Sequence, residues 1–315
     1  ILNNWKFNRI YIQDKELFNN YIKETDYPTN LWRSNFDFLW GSSRRERIVL
    51  WKIVDEMLVI FWLIKRKYLI MECLPFGKAN AEKVVDVTYK CMKFCHNWNK
   101  KKKVQTKVLN INGLQLSFLN SCTKFQNYFI SIELNGMERY ASIQNLIELK
   151  GKQFENARQM INRFKSKNPT FVVRRAKKED YSSFIDLKNN WNEKAGSKYD
   201  RIWDDYFYQR LIEHFEELNH IILIVEVEGE IVGMITGEIL PHGQAWACEL
   251  KYNNDFKGIC EFLYVELARE INHLNQDVDL INLGTDSRGN GGLRLFKEKL
   301  RPVLNVPRYK LVLKK

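Results

Sequence analysis

Residues 221–240 read IILIVEVEGEIVGMITGEIL. Two runs of aliphatic and β-branched residues flank Glu228-Gly229-Glu230, and that pattern folds as a hairpin. The spacing predicts strands at Ile221–Val227 and Ile231–Ile239, with Ala245–Lys251 as the third member of an antiparallel set. The same grammar occurs earlier. Ile48–Val54, Met57–Ile64 and Tyr68–Cys73 are joined by the short charged links DE and KRK, which makes a second meander. Its middle run, MLVIFWLI, is too short to cross a bilayer, which takes about 20 residues. It reads as a central strand.

Helical periods surround each meander. In the first half, helices Tyr11–Lys23 and Leu31–Trp40, the second capped in TNLW at Thr29, come before it. A helix from about Ala79 to Trp98, a strand Val104–Ile111, a helix Gly113–Asn120 and a strand Tyr128–Glu133 come after, with Lys100–Lys103 a loop and Asn135-Gly136 a turn. In the second half the leading elements are helix Gln153–Ser166, strand Phe171–Arg175 and helices Tyr181–Glu193 and Trp203–Glu217. Helix Gly258–Leu274, strand Asp279–Leu283, helix Gly292–Leu300 and strand Tyr309–Leu313 follow. Two halves with one order of elements imply a duplicated α/β domain. A boundary within Ala141–Lys152 divides the chain into residues 1–146 and 147–315.

Composition narrows the class. With 315 residues, 45% hydrophobic and 28% charged, the chain is long enough for two ordinary cores. The net charge of +12 favours a polyanionic partner, such as RNA or anionic lipid, over a neutral metabolite. The six cysteines sit mostly in apolar stretches without a disulfide framework, which reads as reduced thiols in the cytoplasm. Cys91, Cys95 and His96 have helical ligand spacing, but no second ligand pair follows, so no metal site is expected. No leader pattern opens the sequence. The histidines His214, His220, His242 and His273 lack partner spacing and read as structural. Trp191 and Trp203 read as core, with stacking on a base as the alternative.

Three segments carry a resemblance: IELKGKQFENARQMINRFKSKNP (residues 147–169), EVEGEIVGMITGEI (226–239) and FKEKLRPVLNVPRYKL (296–311). Together they resemble the C-terminal domain of bacterial phosphatidylglycerol lysyltransferases, and more closely its stand-alone relatives of unknown function. The resemblance implies two tandem GNAT-like acyltransferase domains, mixed α/β, with the second carrying the site. It implies transfer of an aminoacyl group from aminoacyl-tRNA to a lipid, peptide or small-molecule acceptor, with no cofactor. Such a reaction needs alignment, a proton path and support for an oxyanion.

Residues are carried over position by position. Glu249 in CELKY matches the family's acidic residue, as catalytic base or holder of the donor's α-amino group. The Arg that follows in the family falls on Lys251 or Tyr252. Asp286, on the Gly-rich loop of NLGTDSRGNGG, is the second catalytic candidate. Arg294, Lys297 and Arg308 are expected to bind substrate. Lys297 and Arg308 match the pattern Phe-Lys-x-Lys-Phe … Pro-Arg-Tyr, from which this chain departs at Leu300 and at Asn305-Val306, where a Trp is usual. The turn DFKGIC (255–260) stands where an acetyltransferase carries Gln/Arg-x-x-Gly-x-Gly/Ala, and only Gly258 matches. Asp255 there would repel a pyrophosphate, so acetyl-CoA is disfavoured. Lys150, Lys152, Arg158 and Lys165 lie on or beside one basic helix and are expected to track tRNA phosphates or acidic headgroups. Two alternatives remain open: a CoA-dependent N-acyltransferase, and a non-catalytic module binding tRNA or anionic lipid. The expected location is the cytoplasm, with peripheral membrane contact allowed. DNA is not an expected partner, and the oligomeric state is open.

Overall fold

The computed structural model describes residues 5–28, 32–100, 106–194, 205–286 and 291–314. The TNLW cap, most of the lysine tract, the first residues of the strand expected at Val104, Trp203 and part of the Gly-rich loop lie outside them. The chain divides into two compact units, Ile1–Glu138 with Val306–Lys315, and Arg139–Asn305.

The first unit begins with β1 (Asn8–Arg9), α1 (Lys15–Lys23) and α2 (Phe36–Ser42). The expected meander follows as β2 (Arg47–Val54), β3 (Met57–Ile64) and β4 (Tyr68–Met71), each antiparallel to the next. Val54 pairs with Met57 across Asp55-Glu56, both at positive φ, the backbone a two-residue hairpin requires. The centre of β3 is fully buried, as its unbroken apolar run dictates. Then come α3 (Ala81–Trp98), β5 (Val108–Asn112), α4 (Gly113–Asn120), α5 (Phe125–Tyr128) and β6 (Phe129–Ser142). Asparagines start three helices: Asn35, Asn80 and Asn112 accept the backbone N–H groups of Phe38, Lys83 and Gln115. The Asn35 cap is why α2 starts at Phe36 rather than at Leu31. Cys91 and Cys95 are buried in α3, and burial pushes both thiols up.

Two expectations at the ends of elements are corrected. The strand read as ending at Glu133 continues as β6 to Ser142, because Gly136, at φ +86, is carried within the strand rather than forming a turn. The last strand, β12 (Leu304–Leu313), is longer than expected and pairs with β5 through Arg308–Asn112, Tyr309–Ile111 and Leu311–Val108. Its residues from Val306 onward therefore belong to the first unit, not the second.

The second unit contains α6 (Ile143–Glu148), α7 (Glu155–Lys167), β7 (Val172–Arg175), α8 (Tyr181–Lys194), α9 (Asp205–Leu218), β8 (Ile221–Val227), β9 (Glu230–Ile239), β10 (Ala245–Tyr252), α10 (Ile259–Leu274), β11 (Leu280–Thr285) and α11 (Gly291–Lys299). The division falls at Glu138/Arg139 rather than at 146/147. Ile143 and Leu146 of α6 are buried in the second core, so the segment read as a boundary is part of that unit. Strands β7 to β10 are antiparallel in order, and β11 joins β10 in parallel. The sheet's two faces bury different cores. Ile235 and its neighbours pack with α7 and α10, while Met234, Ile222 and Ile224 pack with Phe184 of α8 and Tyr208 and Ile212 of α9. Alternation along β9 sorts these residues between the faces.

Candidate functional site

Strand β10 breaks its own register. Against β9 it pairs normally through Ala247–Gly237, resumes at Leu250–Ile235, and shifts between the two. Its parallel ladder to β11 consists of Ala245–Ile281 and Trp246–Asn282, although both strands run further. Such irregularities re-aim side chains and often stand beside functional sites. Here the break contains Cys248 and Glu249. The Glu249 N–H donates to the Thr236 hydroxyl of β9 at 3.1 Å.

Glu249 and Lys251 stand two residues apart. The Lys251 ammonium lies 3.4 Å from a Glu249 carboxylate oxygen, and both side chains are buried. Lys251 pairs in register with Met234, which places it on the α8–α9 face. Its ammonium sits 4.3 Å from the Trp191 ring centroid and 5.6 Å from that of Tyr208, close enough for cation–π attraction. The Tyr208 hydroxyl lies 3.0 Å from the Phe184 carbonyl and 3.0 Å from the Met234 sulfur, so its ring is held in place. Thr236 and Glu238 share the same face of β9 by alternation, and both are buried. On β9 and β10 this stretch thus gathers two carboxylates, one ammonium and one hydroxyl beneath aromatic rings. Nearby, Lys188 is paired with Asp205. A buried polar group is retained only where partners compensate its lost hydration, and this group is taken as the candidate site.

The other candidates are placed as follows. Asp286 is buried and accepts a short hydrogen bond from the Arg139 guanidinium. Arg139 also donates to the Asn305 side-chain oxygen at 2.9 Å and lies 3.6 Å from Glu298, which pairs with Arg294 at 2.8 Å. Asp286 and Arg294 are thus members of one ion network. Lys297 is buried and donates to the Thr285 carbonyl at 2.7 Å. Arg308 stands in the first unit, where it donates to the Asn110 side-chain oxygen at 3.0 Å. On the basic helix, Arg158 donates to the carbonyls of Leu149 and Gly151, which satisfies the end of α6. The Lys165 ammonium lies 5.1 Å from the Phe262 ring. Lys150 pairs with Glu148, and both Lys150 and Lys152 are exposed. The turn before α10 is occupied from within: a Cβ on Gly258, at φ +92, would lie 2.0 Å from the Met160 carbonyl oxygen of α7. Asp255 pairs with Lys194 at 2.9 Å.

A family profile, phosphatidylglycerol lysyltransferase, C-terminal, matches residues 30–312. The chain belongs to that family. Solved structures agree in fold. A conserved protein of unknown function from Bacteroides thetaiotaomicron VPI-5482 has a TM-score of 0.78 at 20% identity, over 98% of this chain and 99% of that one. L-PGS from Bacillus licheniformis has a TM-score of 0.64 at 18% identity, over 95% and 91%. A tandem GNAT protein from the clavulanic acid biosynthesis pathway has a TM-score of 0.50 at 8% identity, over 98% and 98%. No curated protein sequence matches significantly. The fold is therefore mixed α/β and tandem GNAT-like, as the resemblance implied.

Within this family's fold, sequence reasoning missed Arg139, Thr236, Glu238 and the contact of Trp191 with Lys251. Arg139 went unseen because the strand holding it was read as ending at Glu133. Thr236 and Glu238 had a signal: they are polar residues at alternate positions of an otherwise apolar strand, the pattern of a buried polar face.

Proposed function

We propose that the chain is an aminoacyltransferase that takes its acyl group from aminoacyl-tRNA and holds it at the polar cluster of β9 and β10. The observation that carries this reading is the buried Glu249–Lys251 pair at the break in β10, in a chain of this family. The ester of an aminoacyl-tRNA is already activated, so the protein's task is alignment and charge stabilisation. An acceptor hydroxyl or amine attacks the ester carbonyl carbon and the carbonyl electron pair moves to oxygen. The tetrahedral intermediate then expels the terminal ribose oxygen, and the acceptor's proton ends on that leaving oxygen.

In this scheme the carboxylates of Glu249 and Glu238 are the groups that receive the donor's α-ammonium. Lys251, held by Glu249 and Trp191, supplies an ammonium for the developing oxyanion. The turn at Gly258 supports this donor over a CoA thioester. An anion there would meet the partial negative charge of the Met160 carbonyl and the carboxylate of Asp255 instead of a row of N–H groups. Exposed Lys152 is the basic side chain this reading offers to tRNA phosphates, with Lys150 paired to Glu148 beside it and Arg158 engaged by backbone carbonyls. No helix among the described residues is long and apolar enough to cross a membrane. An anionic lipid acceptor would in this reading be met at the membrane surface.

The test incubates the purified protein with a mixture of radiolabelled aminoacyl-tRNAs and a cell extract. Label passes from tRNA to an acceptor, and Glu249→Gln lowers kcat/KM by about 10²-fold, the scale of one lost transition-state contact. Loss of label from tRNA without its appearance in another molecule refutes the transferase reading.

A further inference from the structure

The two ends of the β2–β4 meander carry opposite charge, and the first unit treats them differently. At one end the β2–β3 turn is Asp55-Glu56. Each of these acids is matched by α3: Lys90 pairs with Asp55 at 2.8 Å and Lys83 with Glu56 at 2.9 Å. At the other end lie RRER (residues 44–47) and KRK (65–67). They form two tight turns side by side. The backbones of Arg44 and Arg47 exchange hydrogen bonds at 2.9 and 2.8 Å around Arg45-Glu46, and the Lys65 N–H donates to the Glu46 carbonyl at 2.7 Å. Lys65 and Arg66 stand at φ +49 and +52, positions that Asn or Gly fill at least cost. The end of α3 is fastened beside them. Buried Asn99 exchanges hydrogen bonds of 2.9 and 2.8 Å with the Leu69 backbone, and the Trp98 indole N–H donates to the Lys67 carbonyl at 3.2 Å. That anchor brings Lys100 to the same end of the meander.

Arg45, Lys65, Arg66, Lys67 and Lys100 are all exposed, and none of them is ion-paired among the described residues. Arg47 is not counted with them, because it turns toward Glu72. The acid on these turns is Glu46, and the last turn of α3, residues 95–98, contains none. Charge that is balanced at Asp55-Glu56 is thus left in excess here. Like charges gathered on one surface repel, and a bound polyanion relieves that repulsion.

A basic surface suits an anionic membrane or a nucleic acid. A membrane-facing surface adds apolar side chains that enter the headgroup layer. The large hydrophobic side chains exposed on the first unit, Tyr11, Ile53, Leu114, Ile130, Ile132 and Met137, all lie outside these turns. What the turns have instead is aromatic rings fixed among the cations. The Lys67 ammonium lies 5.2 Å from the Tyr68 ring centroid, and Trp98 is pinned by its N–H. Cations interleaved with rings suit a nucleic acid, where ammonium and guanidinium groups meet phosphates and a ring face meets a base. We propose that Arg45, Lys65, Arg66, Lys67 and Lys100 form a docking surface for the phosphate backbone of an RNA. The RNA is the donor tRNA, an identification that rests on the function proposed above.

Anisotropy of fluorescently labelled, deacylated tRNA, titrated with the protein across a salt series, tests the surface. The triple variant Lys65→Gln/Arg66→Gln/Lys67→Gln lowers the slope of log K against log salt by about 2–3, since each lost phosphate contact removes about 0.7–0.9. At about 0.1 M salt, one decade below the 1 M reference, binding is about 10²-fold weaker. Arg66→Lys keeps the slope, because a phosphate track reads charge. Lys83→Gln/Lys90→Gln/Lys124→Gln, an equal charge change at lysines paired with Glu56, Asp55 and Asp86, leaves the slope at the wild-type value. Melting followed by circular dichroism shows the wild-type midpoint for the first triple variant, whose substituted side chains are exposed. Two results overturn the proposal. One is an unchanged tRNA slope in that variant. The other is loss of flotation with phosphatidylglycerol vesicles in that variant without loss of tRNA binding, which makes the surface a membrane face. The transferase function fails separately. Transfer of label by a protein whose tRNA slope ignores the substitutions sinks the surface alone, and substitution-sensitive tRNA binding without transfer sinks the transferase alone.

Discussion

Replacing Gly258 by alanine is a sharp test of how the second unit is put together. The residue has φ +92, where an L side chain costs about 1–2 kcal/mol. Its added Cβ would also lie 2.0 Å from the Met160 oxygen and 2.6 Å from the Met160 carbon, both backbone atoms of α7. Backbone cannot swing aside as a side-chain tip does, and relieving such an overlap costs about 1–3 kcal/mol more. The expected loss is therefore about 3 kcal/mol, or about 6–12 °C in Tm for a unit of this size. Gly229 provides the control. It has φ +84, in the β8–β9 hairpin, with nothing within 4 Å of its would-be Cβ. Gly229→Ala thus carries only the backbone term of about 1 kcal/mol. Denaturant unfolding of both variants, followed by circular dichroism, isolates the contact between α7 and the start of α10. Equal midpoints for the two would refute the close approach, and with it the argument that this turn has no room for a pyrophosphate.

Asp286→Ala leaves Arg139 buried without its main partner, so unfolding experiments should show a loss of about 3–5 kcal/mol, and less than additive losses when Arg139→Ala is combined with it. A stable but inactive Asp286→Ala protein would instead mark a catalytic carboxylate. Hydrogen bonds from Arg174 hold the Asp180 carboxyl below its usual range, so the folded chain binds fewer protons there than the unfolded chain. Its stabilisation is full at neutral pH and fades below about pH 4. Asp180→Asn should be less stable than wild type at pH 7, with the gap closing under acid, as urea midpoints across pH would report. Arg158→Ala removes two bonds to the end of α6 and should cost about 1–2 kcal/mol in the same assay, while leaving the salt dependence of tRNA binding unchanged.

Legibility in the sequence followed the strength of local pattern. Met57–Ile64 and Ile221–Val227 were placed to the residue, because unbroken apolar runs between tight turns admit one assignment. Asn135-Gly136 misled for the same reason: a turn signal is local, and the sheet carried the strand through it. The partner of β12 could not be read at all, since strand pairing is decided by tertiary fit across distant sequence. At the site, Glu249 and Lys251 were named from the family pattern, and the structure brings them together with Trp191 and Thr236. Asp286 was named from its place on a loop after a buried strand, and that logic does not distinguish a carboxylate facing substrate from one facing Arg139.

The pairing of β12 with β5 also sets a clock. Arg308 meets Asn110 across 198 residues. A ribosome adding about 5–20 residues per second needs about 10–40 s to cover that span. Throughout that interval the β12 edge of β5 is unpaired, while the entire second unit is still being made. The first unit to be synthesised is thus the last to be completed. During translation the nascent chain must keep a strand edge from pairing with a neighbour until β12 has been made and closes it.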